Sequence, residues 1–599
     1  MACHQRSKWL AQSKAEGRYY VRMKKIIRRE IDPQALAALP ENLHPLLRRV
    51  YAARHVSDAG QLDHGLERLH PTQTLGGLDA AVLLLTEALS AQHRILIVAD
   101  FDADGATSCA LAVRALRAFG AIDITYLVPN RFAFGYGLTP EIVTVAAQQS
   151  PWLIITVDNG VSSVEGVAAA RAAGIRVLVT DHHLAGATLP DADAIVNPNL
   201  PGDAFPSKNL AGVGVIFYVM LALRARLRDT GWFTQQGIAE PNLAALLDLV
   251  ALGTVADVVP LDHNNRILVS QGLRRIRAGQ CCPGISALLE VGGRSRERLS
   301  AADLGYAVAP RLNAAGRLED MALGIECLLS DTLAAAQSIA QRLDELNRER
   351  RNIEADMQAQ ALTAIAQLRL LEDSALPSGV CLFDDSWHQG VIGIVAGRIK
   401  DRLHRPVIAF APAGDGELKG SARSIAGFHI RDALDAVATR HPGLIHKFGG
   451  HAMAAGLSLR RDRFEAFAAA FDAEACRLLS DEHLQAMIHS DGELSADDLN
   501  LETAELLRAA GPWGQGFPEP LFHGEFEVLS RRVVGERHLK FTVCVSKGSA
   551  ALDAIAFNAV EAGLPDKCSR LRMAYRLDVN EYRGLRTSQL LVEHLEAIE

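Results

Sequence analysis

An apolar run, Ile95 to Ala99, is followed at once by Asp100, Asp102 and Asp104, spaced by two, and then by Gly105. This stretch constrains the chain more than any other. The run reads as a buried strand. In an extended chain the spacing places all three carboxylates on one face. Three anions so close repel one another unless a positive charge sits among them. A divalent cation answers that most economically, because a hard metal prefers oxygen ligands. Gly105 is expected to let the chain turn sharply, with a helix following over 107–117. Taken alone, the same residues also describe an acidic turn that binds nothing.

The surroundings tilt the balance. Strands expected at Ile124–Val128, Leu153–Val157 and Val177–Thr180 alternate with Ala-rich helical stretches, the pattern of a parallel sheet covered on both sides. In such sheets, sites form at the carboxyl ends of the strands. There the chain places Asp158, the run Asp181-His182-His183 and, after the apolar segment Leu246 to Leu252, Asp257. Singly, Asp158 and Asp257 read equally well as helix caps and the histidines as an ordinary surface or packed pair. Joint occurrence at one sheet edge favours a metal site.

The chain has 599 residues, 49% hydrophobic and 22% charged, a globular composition. Its length suits about three or four domains. No uninterrupted apolar run is long enough to span a bilayer. The nine cysteines are odd in number and lack a Cys-x-x-Cys pair, which indicates neither a disulfide framework nor a zinc knuckle and fits a reducing cytoplasm. A net charge of −8 argues mildly against a nucleic-acid partner, but a metal-binding carboxylate cluster would supply several of those charges.

Residues 1–30 carry nine Lys/Arg against two Glu, either a solvated basic arm or an extension preceding a start at Met23. Short helices broken by Pro33, Pro40 and Pro45 are expected over 31–75, then a helix from Gly76 to Gln92. Between Gly324 and Pro377 there is no Gly or Pro, and apolar residues such as Ile339, Leu343, Leu346 and Ile353 recur at helical spacing. This predicts one helix over 332–371, about 60 Å long at 1.5 Å per residue, joining two lobes; two shorter helices with a bend are the alternative.

Val407 to Phe410 reads as a strand. The stretch Gly420-Ser421-Ala-Arg423-Ser424 suits a phosphate grip through backbone N–H, hydroxyl and guanidinium, or else is a surface loop. Gly449-Gly450-His451 offers close-approach backbone beside an imidazole, or a tight turn. A turn-rich linker over 511–520 precedes short alternating strands, including Phe526–Leu529, Leu539–Val545 and Arg586–Val592, which suit a small β-barrel. Arg531, Arg532, Arg537, His538 and Lys540 would line a basic track there, or a solvated face.

Four of these runs, Asp100-Phe-Asp-Ala-Asp-Gly, Val157-Asp-Asn-Gly, Asp181-His-His and Gly253-Thr-Val-Ala-Asp-Val-Val-Pro-Leu, resemble the four motifs of the DHH phosphoesterase superfamily. Pro129-Asn-Arg-Phe, Arg311-Leu-Asn-Ala-Ala-Gly-Arg, Gly420-Ser-Ala-Arg-Ser and Phe448-Gly-Gly-His extend the likeness from about residue 23 to the end, to its bacterial exonucleases specific for single-stranded DNA. The resemblance implies an α/β fold. A basic, helical segment (1–75) leads to a parallel-sheet DHH catalytic domain (76–330). The long helix (331–372) joins it to a DHHA1 substrate-binding α/β domain (373–480), and an OB-fold barrel (490–599) binds nucleic acid.

It further implies 5′→3′ hydrolysis of single-stranded DNA to 5′-mononucleotides, in DNA repair and recombination. Two metals about 3.5–4 Å apart, Mn²⁺ or Mg²⁺, would activate a shared water and neutralise charge developing on the phosphate. By similarity Asp158 bridges them, Asp100 and Asp102 hold one, and Asp104, His182 and Asp257 hold the other. Asp181 would orient a histidine from behind, and His183 would contact the scissile phosphate or donate a proton. Ser421 and Arg423 are the first candidates for a terminal 5′-phosphate and Arg131 the next, with Arg311, Asn313 and Arg317 assisting and Gly449, Gly450 and His451 in the substrate-binding lobe. The expected partners are a strand with a 5′ end, a single-strand-binding protein and a helicase; the chain is expected to be a cytoplasmic monomer away from membranes. The rival readings are a phosphodiesterase for short or cyclic oligonucleotides, whose members lack the barrel, and a non-catalytic scaffold, whose members have lost metal ligands.

Overall fold

The computed structural model describes residues 24–129, 137–372, 376–560, 564–565 and 568–598. Arg131, with the rest of the 130–136 stretch, lies outside the described residues, as does the basic run before Lys24. The chain forms two compact units. One comprises Asp58–Arg351 with Gly511–Pro518; the other comprises the residues up to Ser57, Asn352–Ala510 and Glu519–Glu599.

The first unit is built on a five-stranded sheet ordered Ile124–Leu127, Ile95–Ala99, Leu153–Val157, Arg176–Thr180, Ala194–Val196, parallel throughout. The last strand was not expected; at three residues it is too short for a periodic signal. Ile95–Ala99 and Leu153–Val157 are buried along their whole length, as strands covered on both faces must be. On one face Leu96, Val98, Ile154, Val177 and Val179 join a core with the helices Pro140–Ala147 and Val164–Ala172. The other face carries the helices Ala103–Ala118 and Gly212–Asp229.

Register decides what happens at the sheet's edge. Ala99 pairs with Val157, Val157 with Thr180, and Thr180 with Val196. The next residues, Asp100, Asp158, Asp181 and Asn197, therefore stand in one row at the carboxyl ends. Strand order reverses between Ile95–Ala99 and Leu153–Val157, so the crevice of this α/β sheet opens between Asp100 and Asp158.

Some local expectations change. The strand stops at Ala99 and the helix begins at Ala103, not Thr107, because the Asp102 carboxylate caps it by accepting from Asp104 N and Gly105 N. The three aspartates are thus gathered by a strand-to-helix corner and not by an extended chain. Gly105 lies inside the helix, and what it supplies is closeness: a Cβ there would sit 2.4 Å from the Asp100 carbonyl oxygen. Pro33 and Pro45 open helices (Pro33–Ala38 and Pro45–Ala52) at the position where a missing N–H costs nothing.

A single helix of 40 residues, Leu333–Glu372, runs from one unit into the other. Its first half buries Ala336, Ala340 and Leu343; its second half packs Met357, Ala361 and Ile365 into the core of a mixed sheet. That sheet is ordered Lys447–Gly450, Ala454–Arg460, Glu417–Arg423, Val407–Pro412, Val380–Phe383. The C-terminal strands Phe522–Val534, His538–Cys544, Leu552–Ala556, Leu585–Ala597 and Arg570–Tyr582 close into a barrel. Lys25–Arg28 pairs with Met487–Ser490 beside it, and Asp491 is clamped by Arg54 at 2.8 and 3.0 Å.

Candidate metal centre

Five carboxylates and two imidazoles meet at the carboxyl edge of the parallel sheet. Ligand atoms within 4.8 Å of one another are offered by three overlapping sets: Asp100, Asp102 and Asp158; Asp104, His182 and Asp257; and Asp158, His182 and His183. Asp158 and His182 each belong to two sets, so the sets form one continuous cluster. His182 Nε2 lies 3.1 Å from Asp158 Oδ1 and 3.5 Å from Asp257 Oδ2.

The elements explain the convergence. Asp100, Asp158 and Asp181 follow directly from sheet register. Asp257 arrives differently: it is the C-cap of the helix Leu247–Ala256, so the apolar segment before it is helical and not part of the sheet edge. Asp158 has a left-handed backbone (φ 62°), which points it away from the strand path. Asp104, in the first turn of its own helix, accepts from Gly212 N at 2.6 Å and Val213 N at 3.0 Å, the first N–H groups of the helix Gly212–Asp229. A helix N-terminus stabilises the anion placed there.

Burial and mutual repulsion act together on these acids. Burial first, and neighbouring aspartates second, hold Asp104 and Asp158 well above the ordinary carboxylate range. The same causes lift Asp257 to about 7. Such a set fits hard divalent cations: the donors are mostly oxygen, and a cation among them removes the repulsion.

Asp181 behaves otherwise. Its burial disfavours charge, yet the His183 ring and backbone N–H groups hold it below the usual range. Asp181 Oδ1 accepts from His182 N (2.7 Å) and His183 N (3.1 Å) and lies 2.8 Å from His183 Nδ1; Oδ2 accepts from Val161 N (2.9 Å). Burial opposes the charged His183 ring, but Asp181 outweighs it and lifts the ring to about 9. Asp181 is therefore a fixed anchor for the histidine pair. Asn197 Nδ2 donates to the His183 carbonyl at 2.9 Å and Asn199 Nδ2 to the His182 carbonyl at 2.6 Å, completing that anchor.

Among the remaining candidates, Asn313 accepts from Ala103 N at 2.8 Å and so braces the aspartate corner. Arg317 is half-buried four residues along the same helix, Ala309–Leu318. Arg311 is committed elsewhere: its guanidinium lies 2.7 Å from Asp344 Oδ1 with both side chains largely buried, and it donates to the carbonyls of Ala307 and Val291.

Ser421 and Arg423 belong to the other unit and lie in a strand, not a loop; their i, i+2 spacing puts both on one face. A Cβ on Gly393 would sit 2.9 Å from Ser421 Oγ and Arg423 Nη2, so both lie against the start of the helix Ile392–Leu403. Gly449 shares their sheet, one strand removed: Gly456 pairs with both Gly449 and Ser421. Gly450 (φ 140°) and exposed His451 form the hairpin turn, with His451 N donating to Ala454 O at 2.8 Å.

Sequence reasoning passed over Gly212 and the Asn197/Asn199 pair. A Cβ on Gly212 would lie 2.6 Å from Asp158 Cβ. A glycine opening an apolar helix was the available signal for the first. The second had none, because Asn197 gains its role only through strand pairing. The presumed linker over 511–520 also proves structural: Leu261 N donates to Gln515 O at 2.7 Å and Arg266 lies 4.3 Å over the Phe517 ring, bracing the loop after Asp257.

Comparison with known proteins places this geometry. The family model described as the DHH family, N-terminal domain, matches residues 94–254; the DHHA1 domain matches 375–475 and the RecJ OB domain 490–594. The single-stranded-DNA-specific exonuclease RecJ of Dickeya dadantii is 58% identical over 94% of this chain and 98% of its own length. The chain belongs to the RecJ family. The Escherichia coli member is 56% identical over 95% of this chain and 98% of its own. The Thermus thermophilus member, solved in complex with Mn²⁺, superposes with a TM-score of 0.78 at 31% identity, covering 96% of this chain and 79% of that one. The same protein with Mg²⁺ gives 0.72 at 30% identity, over 96% of this chain and 78% of that one. The family's DHH, DHHA1 and OB domains are thus the parallel-sheet, mixed-sheet and barrel regions described above.

Proposed function

We propose that this chain is a metal-dependent exonuclease specific for single-stranded DNA, degrading it 5′→3′ to 5′-mononucleotides in repair and recombination. The observation that carries the reading is the continuous carboxylate–imidazole cluster, whose members come from five separate elements, gathered partly by sheet register and partly by helix ends. Relatives named as single-stranded-DNA-specific exonucleases, and family structures holding Mn²⁺ or Mg²⁺, support it.

Asp158 is proposed as the shared ligand, with Asp100 and Asp102 on one side and Asp104, His182 and Asp257 on the other. When bound there, two divalent cations supply the Lewis acidity that makes water nucleophilic at neutral pH and offset the phosphate's charge. The chain's own residues do the rest. Asp181 fixes the His183 ring through Nδ1, and the ring is proposed to contact the scissile phosphate or hand a proton to the leaving oxygen. The Gly212 and Val213 N–H groups hold Asp104 in place. Asn313 holds the corner from which Asp100, Asp102 and Asp104 project. Ser421 and Arg423, beside a helix N-terminus, are proposed to grip a strand phosphate, with Arg131, Arg317, Gly449, Gly450 and His451 contributing further contacts. Asp344 already holds Arg311, so its proposed role is to support this machinery from behind.

A single-strand-binding protein and a helicase are proposed partners of a cytoplasmic monomer. No helix among the described residues is long and apolar enough to cross a membrane. The test is digestion of 5′- and 3′-labelled single strands and duplexes with Mn²⁺ or Mg²⁺, using the full chain and Asp158→Ala. Release from the labelled 5′ end of single strands only, abolished in the variant while strand binding persists, is expected. Unchanged digestion by Asp158→Ala would remove the site assignment.

A further inference from the structure

Two exposed apolar side chains adjoin metal-ligand candidates along the chain, and a third stands on an element packed against the helix that ends in Asp257. Leu184 follows His183 and is 63% exposed; Val258 follows Asp257 and is 62% exposed; Tyr306 is 83% exposed. Tyr306 lies in a π-helix, Leu304–Val308. That element packs on the helix ending in Asp257: a Cβ on Gly305 would sit 3.3 Å from Val255 Cγ1. π-Helical turns are rare and concentrate at functional sites.

Val258 adds a second irregularity. Its backbone is left-handed (φ 62°), a conformation that β-branched residues avoid. The loop that follows it is tied down on both sides. Asn265 Nδ2 donates to Pro260 O at 2.9 Å, and Gln515 O receives Leu261 N. The fold thus holds an apolar side chain outward one residue past a carboxylate of the cluster. Isolated exposed apolar residues need no explanation, but two directly following ligand candidates and a third on an element packed against the Asp257 helix, two of the three on irregular backbone, do.

Resting on the exonuclease reading, we propose that Leu184, Val258 and Tyr306 form a receiving surface for an unpaired nucleobase flanking the scissile phosphate, with Tyr306 stacking on its face. A phosphate seated among the cluster's ligands brings its attached nucleosides to the border of that cluster. Apolar side chains have nothing to offer a phosphate, but they suit the planar, weakly hydrated face of a base. Base–aromatic stacking is indifferent to which base is present, as a nuclease without sequence preference requires. In a duplex that face is already covered by the neighbouring pair, so the same contact favours single strands.

The experiment compares the full chain with Tyr306→Ala and Tyr306→Phe on a single strand, intact or with one abasic residue beside the scissile bond. Stacking of this kind predicts that the parent loses about tenfold or more in kcat/KM on the abasic strand. Tyr306→Ala should lose as much on the intact strand and little more on the abasic one, while Tyr306→Phe recovers the parent rate. A strand carrying 2-aminopurine at that position, bound with Ca²⁺ so that it is not turned over, should be quenched by the parent and not by Tyr306→Ala. Thermal midpoints should coincide, since the side chain is exposed. Full activity and quenching in Tyr306→Ala, or losses that multiply instead of overlapping, would overturn the proposal. If the parent digests no strand with either metal, the exonuclease reading itself falls and takes the stacking role with it; normal digestion with no abasic penalty sinks the stacking role alone.

Discussion

Gly212→Ala offers a severe test of the centre, because the change adds one methyl group in a helix where alanine is otherwise preferred. The Cβ would stand 2.6 Å from Asp158 Cβ and 2.7 Å from Asp158 Oδ1. Ordinary carbon–carbon contact is about 3.5–4.0 Å, so roughly 1 Å must be found. Two movements can supply it. If the helix retreats, Gly212 N gives up its 2.6 Å bond to Asp104. If Asp158 turns away, the carboxylate shared by two donor sets leaves the cluster. Asp158 is only 2% exposed and its N–H is tied to Thr180 O at 3.1 Å, so neither route is free. A misplacement of about 1 Å costs on the order of 10²-fold in rate. Mn²⁺ affinity should fall about 10–100-fold, as when a support of a metal ligand is lost. Titration calorimetry with Mn²⁺ and digestion of a 5′-labelled single strand read the two effects separately. Alanine's helix propensity works the other way, by about 1 kcal/mol. A variant with parental Mn²⁺ affinity and rate, and a raised thermal midpoint, would refute the reasoning.

Other expectations follow from the same contacts. Asp104, Asp158 and Asp257 have raised values in the fold, so the folded chain keeps protons that the unfolded chain has lost, and ionising them as pH rises towards about 7 and beyond costs stability. A cation cancels that cost, so the gain in thermal midpoint from Mn²⁺ should be larger at about pH 8 than at about pH 6; a gain independent of pH speaks against the carboxylate set. Arg54→Met leaves Asp491 buried without its two-pronged partner and should cost about 3–5 kcal/mol by urea unfolding, with a loss under about 1 kcal/mol counting against the clamp. Arg311→Ala should lower stability by about 1–3 kcal/mol with little change in KM for DNA, since Asp344 keeps Arg348 at 2.5 Å; the opposite pattern would return Arg311 to the substrate. Phe517→Ala should weaken Mn²⁺ binding more than folding, measured by calorimetry beside a thermal melt, because the ring backs Arg266 and the loop after Asp257.

Much of the architecture was legible in order along the chain. Ile95–Ala99 and Leu153–Val157 announce themselves because a strand buried on both faces must be apolar throughout, and acids directly after such strands have only a sheet edge to occupy. The long helix was readable from the missing glycines and prolines. Ser421 and Arg423 were visible as residue types, but their place in a strand was not: Gly420-Ser-Ala-Arg is weakly strand-forming, and pairing with both neighbouring strands makes it one.

What the sequence alone determined is therefore the inventory: which acids and imidazoles exist, and that an α/β sheet would present most of them at its edge. Tertiary structure decided their company. Asp257 reaches the cluster from a helix end, Gly212 makes room for Asp158, and Asn197 and Asn199 anchor the histidines, all across long separations in the chain. It also withdrew Arg311 into an ion pair with Asp344 and left Tyr306 standing in solvent. The physical reason is range: propensity and periodicity act over one or two turns of chain, whereas repulsion among carboxylates and ångström-scale clearances are settled only when distant segments pack.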